Sequence, residues 1–215
     1  MQYRPGETQM TTTQYTTAVA AVSGAAPGSA RRAMIDSQLR TSGVNEPYVL
    51  GAMARVARED FVPEALREAA YIDRALPLGN GRFLPAPTVH GKMLAAAAPK
   101  DDDNALIVSN GSGYFAEVLR PLVGTLTVVD AAEIDKGLPA SPYSLIVIDG
   151  AIEALPEALT LALTASGRII TGQVNKVMTR IVRGTKHAET VAFDPVADDN
   201  VPLLPEFAAP KSWSF

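Results

Sequence analysis

Residues 105–130, ALIVSNGSGYFAEVLRPLVGTLTVVD, contain in order a β-branched run, a glycine-rich turn, an apolar helix pattern and a second β-branched run with an acidic end. The run Leu106, Ile107 and Val108 predicts a buried strand, and residues 114–120 predict a helix with one apolar side. A strand, a tight turn, a helix and a second strand form the opening unit of a nucleotide-binding α/β sheet. This stretch therefore predicts an α/β fold.

The turn carries the candidate chemistry. Gly111 and Gly113 let the backbone adopt positive φ and let a ligand approach closely. Free amides at the start of the next helix would suit a polar or anionic group. Asp130 ends the second strand, where such folds place a carboxylate that accepts hydrogen bonds from ribose hydroxyls. The sequence also allows plainer interpretations, because glycine turns join strands to helices without a ligand and Asp130 can cap a helix.

Composition limits the class of protein. The chain has 215 residues, of which 47% are hydrophobic and 20% charged, as in an ordinary soluble domain. The net charge of -4 and the scattered Lys and Arg argue against binding to nucleic acid or to an anionic membrane. The absence of cysteine excludes disulfides and fits a cytoplasmic protein. His90 and His187 are far apart, so we expect no histidine metal site and two surface or half-buried imidazoles.

The N-terminal residues 1–29 are rich in Thr, Ala, Gly and Ser and lack an apolar period, which predicts a flexible leader or a partner-binding tail. Residues 18–26 are short and follow threonines rather than basic residues, so we expect no signal peptide. No apolar run approaches the roughly 20 residues that span a bilayer. We predict one domain over residues 30–215, with a helical preface and loop at 30–98 and the sheet at 99–215.

Local patterns predict the remaining elements. In the preface we expect helices at 30–39, 47–56 and 63–70, a fixed loop at 77–87, a helix at 88–98 and a solvated charged connector at 100–104. After Asp130 we expect a polar connection, a strand at 144–148 that ends in an Asp149-Gly150 turn, a helix at 155–163 and a strand at 168–171. An antiparallel pair should follow at 177–182 and 189–193, with the turn between its strands starting at Arg183-Gly184. We then expect a closing strand at 201–207 and tail residues Trp213 and Phe215.

Four stretches match the pattern of one known family: MIDSQLRTSGV (34–44), VLGAMARVAREDFVPEALREAAYIDRALPLGNG (49–81), NGSGYFAEVL (110–119) and SLIVIDGAIEALPEALTLALTASGRIITG (144–172). In this order they resemble the protein-L-isoaspartate (D-aspartate) O-methyltransferase family. The resemblance implies a Rossmann-like class I methyltransferase sheet of seven strands. It also implies that S-adenosylmethionine is used to esterify isoaspartyl carboxylates in damaged proteins or peptides.

The resemblance assigns cofactor-binding roles to four residues. It implies that Asn110, Gly111 and Gly113 lie against the methionine end of S-adenosylmethionine and that Asp130 holds its ribose. One residue of the substrate loop departs from the family pattern. Pro85 stands where the family has the serine that engages the substrate carboxylate, and proline offers neither a hydroxyl nor an amide donor. We therefore assign no catalytic residue.

Two further departures affect the cofactor side. Ile107 and Ser109 replace an acidic residue and a glycine, and the lost charge-assisted bond is worth roughly 1.5 to 3 kcal/mol. Only 13 residues separate Asp130 from Ser144, too few for the family's helix, third strand and acidic loop. We expect that one βα unit is missing, that the adenine pocket is incomplete and that the strand ending at Asp130 is an edge. Such an edge can pair with a second copy, which leaves a homodimer open.

Two functions follow from this comparison. The first is a pseudoenzyme that keeps the fold as a binding or scaffold module for a protein partner. The second is an active S-adenosylmethionine-dependent protein carboxyl methyltransferase with an altered site, in which Asp149, Arg82 or Thr88 replaces lost polar groups. The three departures occur together and favour the first, while an unrelated ligand-binding role stays open.

Overall fold

A computed structural model describes residues 27–139, 142–175 and 178–209 of the chain. A six-stranded sheet lies at the centre, with helices on both faces, and a two-stranded hairpin lies outside it. Residues 1–26, most of the predicted leader, and the tail residues Trp213 and Phe215 lie outside the described residues. Within the described part, no helix has the length and apolar character needed to cross a bilayer.

Short helices form the preface, largely as predicted. They are α1 (Pro27–Met34), which continues as a π-helix (Ile35–Leu39) and a 3-10 turn (Arg40–Ser42), then α2 (Pro47–Arg55) and two 3-10 helices (Arg58–Phe61 and Glu64–Ala69). Helix α1 begins three residues before the predicted domain boundary, so residues 27–29 are helical rather than part of a leader. Gly43, with a φ of +88°, ends the first helical segment. Pro47 begins α2, where proline is tolerated because an N–H at the first helical position would have no partner within the helix.

The prediction of a loop at 77–87 was wrong in part. Strands β1 (Leu76–Gly79) and β2 (Arg82–Leu84) pair as an antiparallel hairpin. The turn residues Asn80 and Gly81 have φ of 52° and 74°, which is the left-handed conformation that a tight hairpin turn needs. Prolines were compatible with strands here because the hairpin is short and both its strands are edges. Helix α3 (Pro87–Ala97) follows directly and is mostly buried.

The main sheet has the order β4-β3-β5-β6-β7-β8. Strands β4, β3, β5 and β6 are parallel to one another, while β7 pairs antiparallel with β6 and β8 pairs antiparallel with β7. The bounds are β3 (Asn104–Ser109), β4 (Thr125–Asp130), β5 (Tyr143–Ile152), β6 (Leu163–Asn175), β7 (Met178–His187) and β8 (Thr190–Asp198), with helices α4 (Tyr114–Leu119) and α5 (Glu157–Ala162) between strands. The order reverses direction around β3, since β4 lies on one side and β5 on the other.

Strand β4 is one edge of this sheet among the described residues, and β8 is the other. A 3-10 helix (Ala131–Lys136) follows it, and the chain then returns to β5. Val128 on β4 is 44% exposed, as expected for an edge strand. The described part of the connection contains no strand, so no described strand pairs with the outer side of β4.

Two expectations for the C-terminal half were wrong. Arg183 and Gly184 lie inside β7, and the reversal comes later, at Ala188 with φ 53°. The predicted closing strand at 201–207 is an isolated parallel bridge between Ala151 and Leu203, followed by a 3-10 turn (Pro205–Phe207). Local apolar patterns cannot distinguish a strand from an extended chain that packs its side chains beside the end of a strand.

The core has two parts, one on each face of the sheet. The preface, α3 and α4 pack on one face, against Ala105, Ile107, Leu145 and Val147. The turn at 131–136, α5 and the turn at 205–207 pack on the other face. Each strand contributes alternate residues to each layer, which is why the central strands are apolar throughout.

The charged connector at 100–104 is not simply solvated. Asp103 is 3% exposed and forms hydrogen bonds of 2.6 and 3.0 Å with Arg168 on β6. Arg168 also donates to the carbonyl oxygens of Ala97 and Ala98 at the end of α3. This pair therefore fastens the end of α3 to the sheet.

Candidate functional site

The glycine turn lies at the carboxyl end of β3, at the point where the sheet order reverses. In doubly wound sheets, ligands bind in the crevice at this point. Gly111 and Gly113 have φ of 94° and 78°, so both glycines are required by the backbone conformation. Ser109 pairs in register with Asp130 at the end of β4. The four residues predicted to bind the cofactor, Asn110, Gly111, Gly113 and Asp130, therefore lie close together.

We expected free backbone amides at this turn, but three of them donate hydrogen bonds to side chains. Gly111 N–H donates to Ser109 Oγ at 3.0 Å, and Ser112 N–H donates to Asn110 Oδ1 at 2.9 Å. Tyr114 N–H donates to Ser112 Oγ at 3.2 Å. Short polar side chains compete with a ligand for such backbone donors. These three donors are therefore used within the turn itself.

Asn110 is fully buried and connects the turn to the hairpin. Its Nδ2 donates to the carbonyl oxygen of Phe83 on β2 at 3.0 Å. Together with the bond to Ser112, this contact fixes the side-chain amide at both ends. Asn110 thus holds the hairpin against the glycine turn.

Asp130 has a cationic partner that the sequence analysis did not assign. Arg82 Nη1 donates to Asp130 Oδ2 at 2.8 Å and Nη2 donates to Oδ1 at 2.6 Å. Asp130 Oδ1 also accepts the N–H of Ala132 at 2.9 Å, which caps the following 3-10 helix. The hydrogen bonds from Arg82 lower the pKa of Asp130, with the Ala132 N–H acting in the same direction. The capping interpretation of Asp130 is therefore correct, and its carboxylate also forms a bidentate ion pair.

Arg82 has a second acidic partner. Its Nε donates at 3.0 Å to Oε1 of Glu206, which lies in the turn at 205–207. The Asp130 and Glu206 carboxylates together raise the pKa of the Arg82 guanidinium. Arg82 Nη1 lies 3.2 Å from the point that a Cβ atom on Gly111 would occupy. The guanidinium thus fills the space between the glycine turn and the end of β4.

Pro85 lies between β2 and α3 and offers only its carbonyl oxygen. That oxygen accepts a hydrogen bond from Arg58 Nη2. Thr88, in the first turn of α3, donates its hydroxyl to Asp73 Oδ1 at 2.7 Å. The polar groups of this loop are therefore engaged with other parts of the preface.

A polar network that the sequence analysis missed lies beneath this loop. Arg58 Nε donates to the Ala70 carbonyl at 2.7 Å, and Nη1 lies 3.1 Å from His90 Nδ1. His90 Nε2 lies 2.8 Å from Asp149 Oδ1. The guanidinium carbon of Arg58 is 4.9 Å from the centre of the Tyr114 ring. Arg58, His90 and Asp149 are all 1% exposed or less, so a chain of charge and hydrogen bonds crosses the core.

The geometry of this network fixes the histidine tautomer. A guanidinium can only donate, so Nδ1 of His90 accepts from Arg58 and Nε2 carries the proton that is donated to Asp149. Burial lowers the pKa of His90, and the Arg58 charge acts in the same direction against the opposing effect of Asp149. His90 is therefore neutral, and Arg58 and Asp149 carry the opposite charges.

Two predictions are corrected by this network. His90 is fully buried rather than at the surface or half-buried, and Asp149 lies inside β5 rather than in a strand-ending turn. One signal was present in the sequence: His90 and Asp149 each interrupt an otherwise apolar element, and a polar residue in such a position needs a buried partner. Arg58 carried no comparable signal. Among the described residues, no cluster of acidic, histidine or cysteine side chains could hold a metal ion.

Comparison with known proteins identifies the family. The family model described as protein-L-isoaspartate (D-aspartate) O-methyltransferase matches residues 29–139. Protein-L-isoaspartate O-methyltransferase 2 of Anaeromyxobacter sp. (strain Fw109-5) is 33% identical over 204 residues, which covers 79% of this chain and 84% of that protein. The Methylorubrum populi enzyme named protein-L-isoaspartate O-methyltransferase is 32% identical, over 81% of this chain and 95% of that protein. The chain belongs to the protein-L-isoaspartate (D-aspartate) O-methyltransferase family.

The fold of this family member agrees with a solved structure. A protein described as an isoaspartate O-methyltransferase of Plasmodium falciparum in complex with S-adenosyl-L-homocysteine superposes with a TM-score of 0.64 at 17% identity. The match covers 82% of this chain and 98% of that chain. The predicted Rossmann-like class I methyltransferase fold is thereby confirmed.

The residues of this chain do not fit a bound adenosyl cofactor as they are arranged. Both oxygens of Asp130 accept hydrogen bonds from Arg82, so they are not free for two ribose hydroxyls. The guanidinium also covers Gly111, where a ligand would approach the backbone. Both glycines of the turn have positive φ, while the space beside Gly111 is filled by the Arg82 side chain.

Proposed function

We propose that this chain is a catalytically inactive member of the isoaspartate methyltransferase family that uses the fold as a binding or scaffold module for a protein partner. The observation that carries the proposal is the bidentate pair between Arg82 and Asp130. It removes the carboxylate that would hold the cofactor ribose, in the conformation that the chain adopts.

Two further features, the glycine turn and the loop at Pro85, support the same proposal. The turn amides at Gly111, Ser112 and Tyr114 are satisfied by side chains of the turn. Pro85 presents no donor to a substrate carboxylate, and its carbonyl oxygen is bonded to Arg58. In this proposal, Asn110, Gly111, Gly113 and Asp130 are the inherited cofactor residues, now used for the structure of the crevice.

A second candidate function is supported by the family itself. The curated relatives are named as isoaspartate O-methyltransferases at about one third identity, and Gly111 and Gly113 have the positive φ that allows a ligand close to the backbone. In that function, S-adenosylmethionine binds after Arg82 leaves Asp130, and an isoaspartyl protein or peptide is the substrate.

The proposal also covers the cellular location and the oligomeric state of the protein. It places the protein in the cytoplasm, which the absence of cysteine supports. The exposed edge of β4 is the surface through which a second copy would pair in a homodimer, and nucleic acid and membranes are not partners.

One experiment separates the two functions. Purified full-length protein is titrated with S-adenosylmethionine by calorimetry and then incubated with an isoaspartyl peptide and methyl-labelled cofactor. We expect no binding at millimolar cofactor and no methyl ester, while the Anaeromyxobacter relative serves as the positive control. Micromolar binding together with ester formation would show that the chain is an active enzyme.

The Pro85→Ser variant extends this test to the substrate loop. Restoring the hydroxyl does not release Asp130 from Arg82, so we expect the variant to remain without ester formation in the same assay. Turnover by this single variant would show that the loop alone prevents activity.

A further inference from the structure

Arg82 joins three segments that are distant in the sequence. It lies on β2 of the hairpin, pairs with Asp130 at the end of β4 and reaches Glu206 in the turn at 205–207. The hairpin turn also packs on this last segment, since a Cβ atom on Gly81 would lie 3.3 Å from Pro205 Cγ. The side chain of Arg82 is 15% exposed, whereas those of Asp130 and Glu206 are 40% and 25% exposed, so the guanidinium is largely buried and both carboxylates remain partly open to solvent.

The carboxylate of Asp130 has little capacity left in this arrangement. Oδ1 accepts from both Arg82 Nη2 and Ala132 N, and Oδ2 accepts from Arg82 Nη1. Each carboxylate oxygen has about two acceptor positions. A nucleoside that offers two neighbouring ribose hydroxyls would therefore have to displace the guanidinium before it could bind Asp130.

Glu206 offers an alternative place for the displaced cation. Its contact with Arg82 does not involve Asp130, because Nε and Nη2 reach Glu206 while Nη1 and Nη2 reach Asp130. One cation is thus shared by two carboxylates, and it can keep one of them when the other is taken by a ligand.

We infer that Arg82 is an internal occupant of the nucleoside end of the crevice and determines whether the crevice accepts an adenosyl ligand. The inference rests on the proposed function, in which this crevice is the inherited cofactor site. It goes further by assigning the loss of cofactor binding mainly to one side chain that can be removed.

The test measures binding of S-adenosylhomocysteine rather than turnover. Wild-type protein, Arg82→Gln, Arg82→Lys and the control Arg120→Gln are titrated by calorimetry. Arg120 pairs with Glu117 on the surface, where its side chain is 50% exposed, so its removal changes the net charge equally without touching the crevice. Circular dichroism and the unfolding midpoint establish that each variant is folded.

We expect Arg82→Gln to bind S-adenosylhomocysteine at least about tenfold more tightly than the upper limit that the titration sets on the wild-type affinity, which corresponds to about 1.4 kcal/mol. Arg82→Lys keeps the charge but lacks the planar fork with which arginine donates to both oxygens of Asp130 in parallel, so it should bind more weakly than Arg82→Gln. Arg120→Gln should equal wild type. The double variant Arg82→Gln/Asp130→Asn should lose the gain, because the freed acceptor is then neutral and has one oxygen fewer.

Three results would overturn the inference. They are equal affinities of Arg82→Gln and wild type, absence of binding by every variant at millimolar ligand, and an equal gain in Arg82→Gln and Arg120→Gln. Methyl ester formation by the wild-type protein would instead refute the proposed function, and the ratio of the two affinities would still decide the role of Arg82.

Discussion

Arg58 brings a full positive charge into the core, between the loop at Pro85 and the end of β5. Its charge interacts with that of Asp149, and neutral His90 lies between the two with hydrogen bonds to both. Removing one member of a buried charged pair leaves the other uncompensated and typically costs about 3 to 5 kcal/mol. The stability of the preface should therefore depend on all three residues as a unit.

This dependence predicts a strong coupling between Arg58 and Asp149. Arg58→Met and Asp149→Asn should each lower the free energy of unfolding by about 2 to 4 kcal/mol. The double variant should cost less than the sum by at least about 1 kcal/mol, because both charges are then absent. Urea unfolding at pH 7 measures all three values.

The pair Arg180 and Asp198 on the surface provides the control. Their side chains are 31% and 68% exposed, and a pair of this kind contributes less than about 1 kcal/mol. The cycle Arg180→Met and Asp198→Asn should show almost no coupling. Simple additivity in the Arg58 and Asp149 cycle would show that the two charges do not stabilise each other through His90.

At the scale of elements, the connection from β3 through the glycine turn to α4 depends on the positive φ of its glycines. Gly113 stands before the first residue of α4 with a φ of 78°, where an L side chain is strained. Its Cβ position is not crowded, since the nearest atoms belong to Phe61 at 4.0 Å. Any effect of a small side chain here therefore comes from conformation rather than from a clash.

Gly113→Ala should consequently lower the free energy of unfolding by about 1 to 2 kcal/mol. The matched control is Gly51→Ala in α2, where the only nearby atom is Arg55 Nη2 at 3.8 Å. Alanine is favoured over glycine inside a helix, so that variant should be more stable than wild type by about 0.5 to 1 kcal/mol. Equal effects of both substitutions in thermal or urea unfolding would contradict the conformational argument.

At the scale of the whole molecule, Asp103 and Arg168 hold α3, the connector and β6 together. Burial opposes ionisation of Asp103, but the hydrogen bonds from Arg168, Ser144 and Lys100 outweigh it and lower the pKa of this carboxyl below its ordinary value of 3.8. A lowered folded-state pKa stabilises the protein above the unfolded value. That contribution is lost as the pH falls below about 4 through the folded pKa.

Stability should therefore decline below about pH 4 and depend on Asp103 above it. Asp103→Asn should lower the free energy of unfolding by about 2 to 4 kcal/mol at pH 7, and the difference from wild type should shrink as the pH approaches 2. Urea unfolding from pH 7 to pH 2.5 measures this, with Asp36→Asn as a control on an exposed ion pair. A difference that is constant over the whole range would exclude the titration of Asp103 as its cause.

Much of the fold could be predicted because its signals are local. The apolar runs at 106–108 and 144–148, the glycine turn and the helix of residues 88–98 are each encoded within about ten neighbouring residues. The candidate crevice was also predictable in position, since a strand that ends in a glycine turn fixes where its carboxyl end opens. The predictions for the hairpin β1–β2 and for the long strand β7 were less accurate, because the partner strand decides where a strand ends.

The sequence by itself determined the α/β class, the strand-turn-helix unit around Gly111 and Gly113, and the presence of an acidic residue at the end of β4. Only the tertiary structure decided what those residues touch. Arg82 lies 48 positions from Asp130 and 124 from Glu206, and Arg58 lies 32 positions from His90. Charges pair through space, so no local pattern shows that a side chain of this chain fills its own crevice.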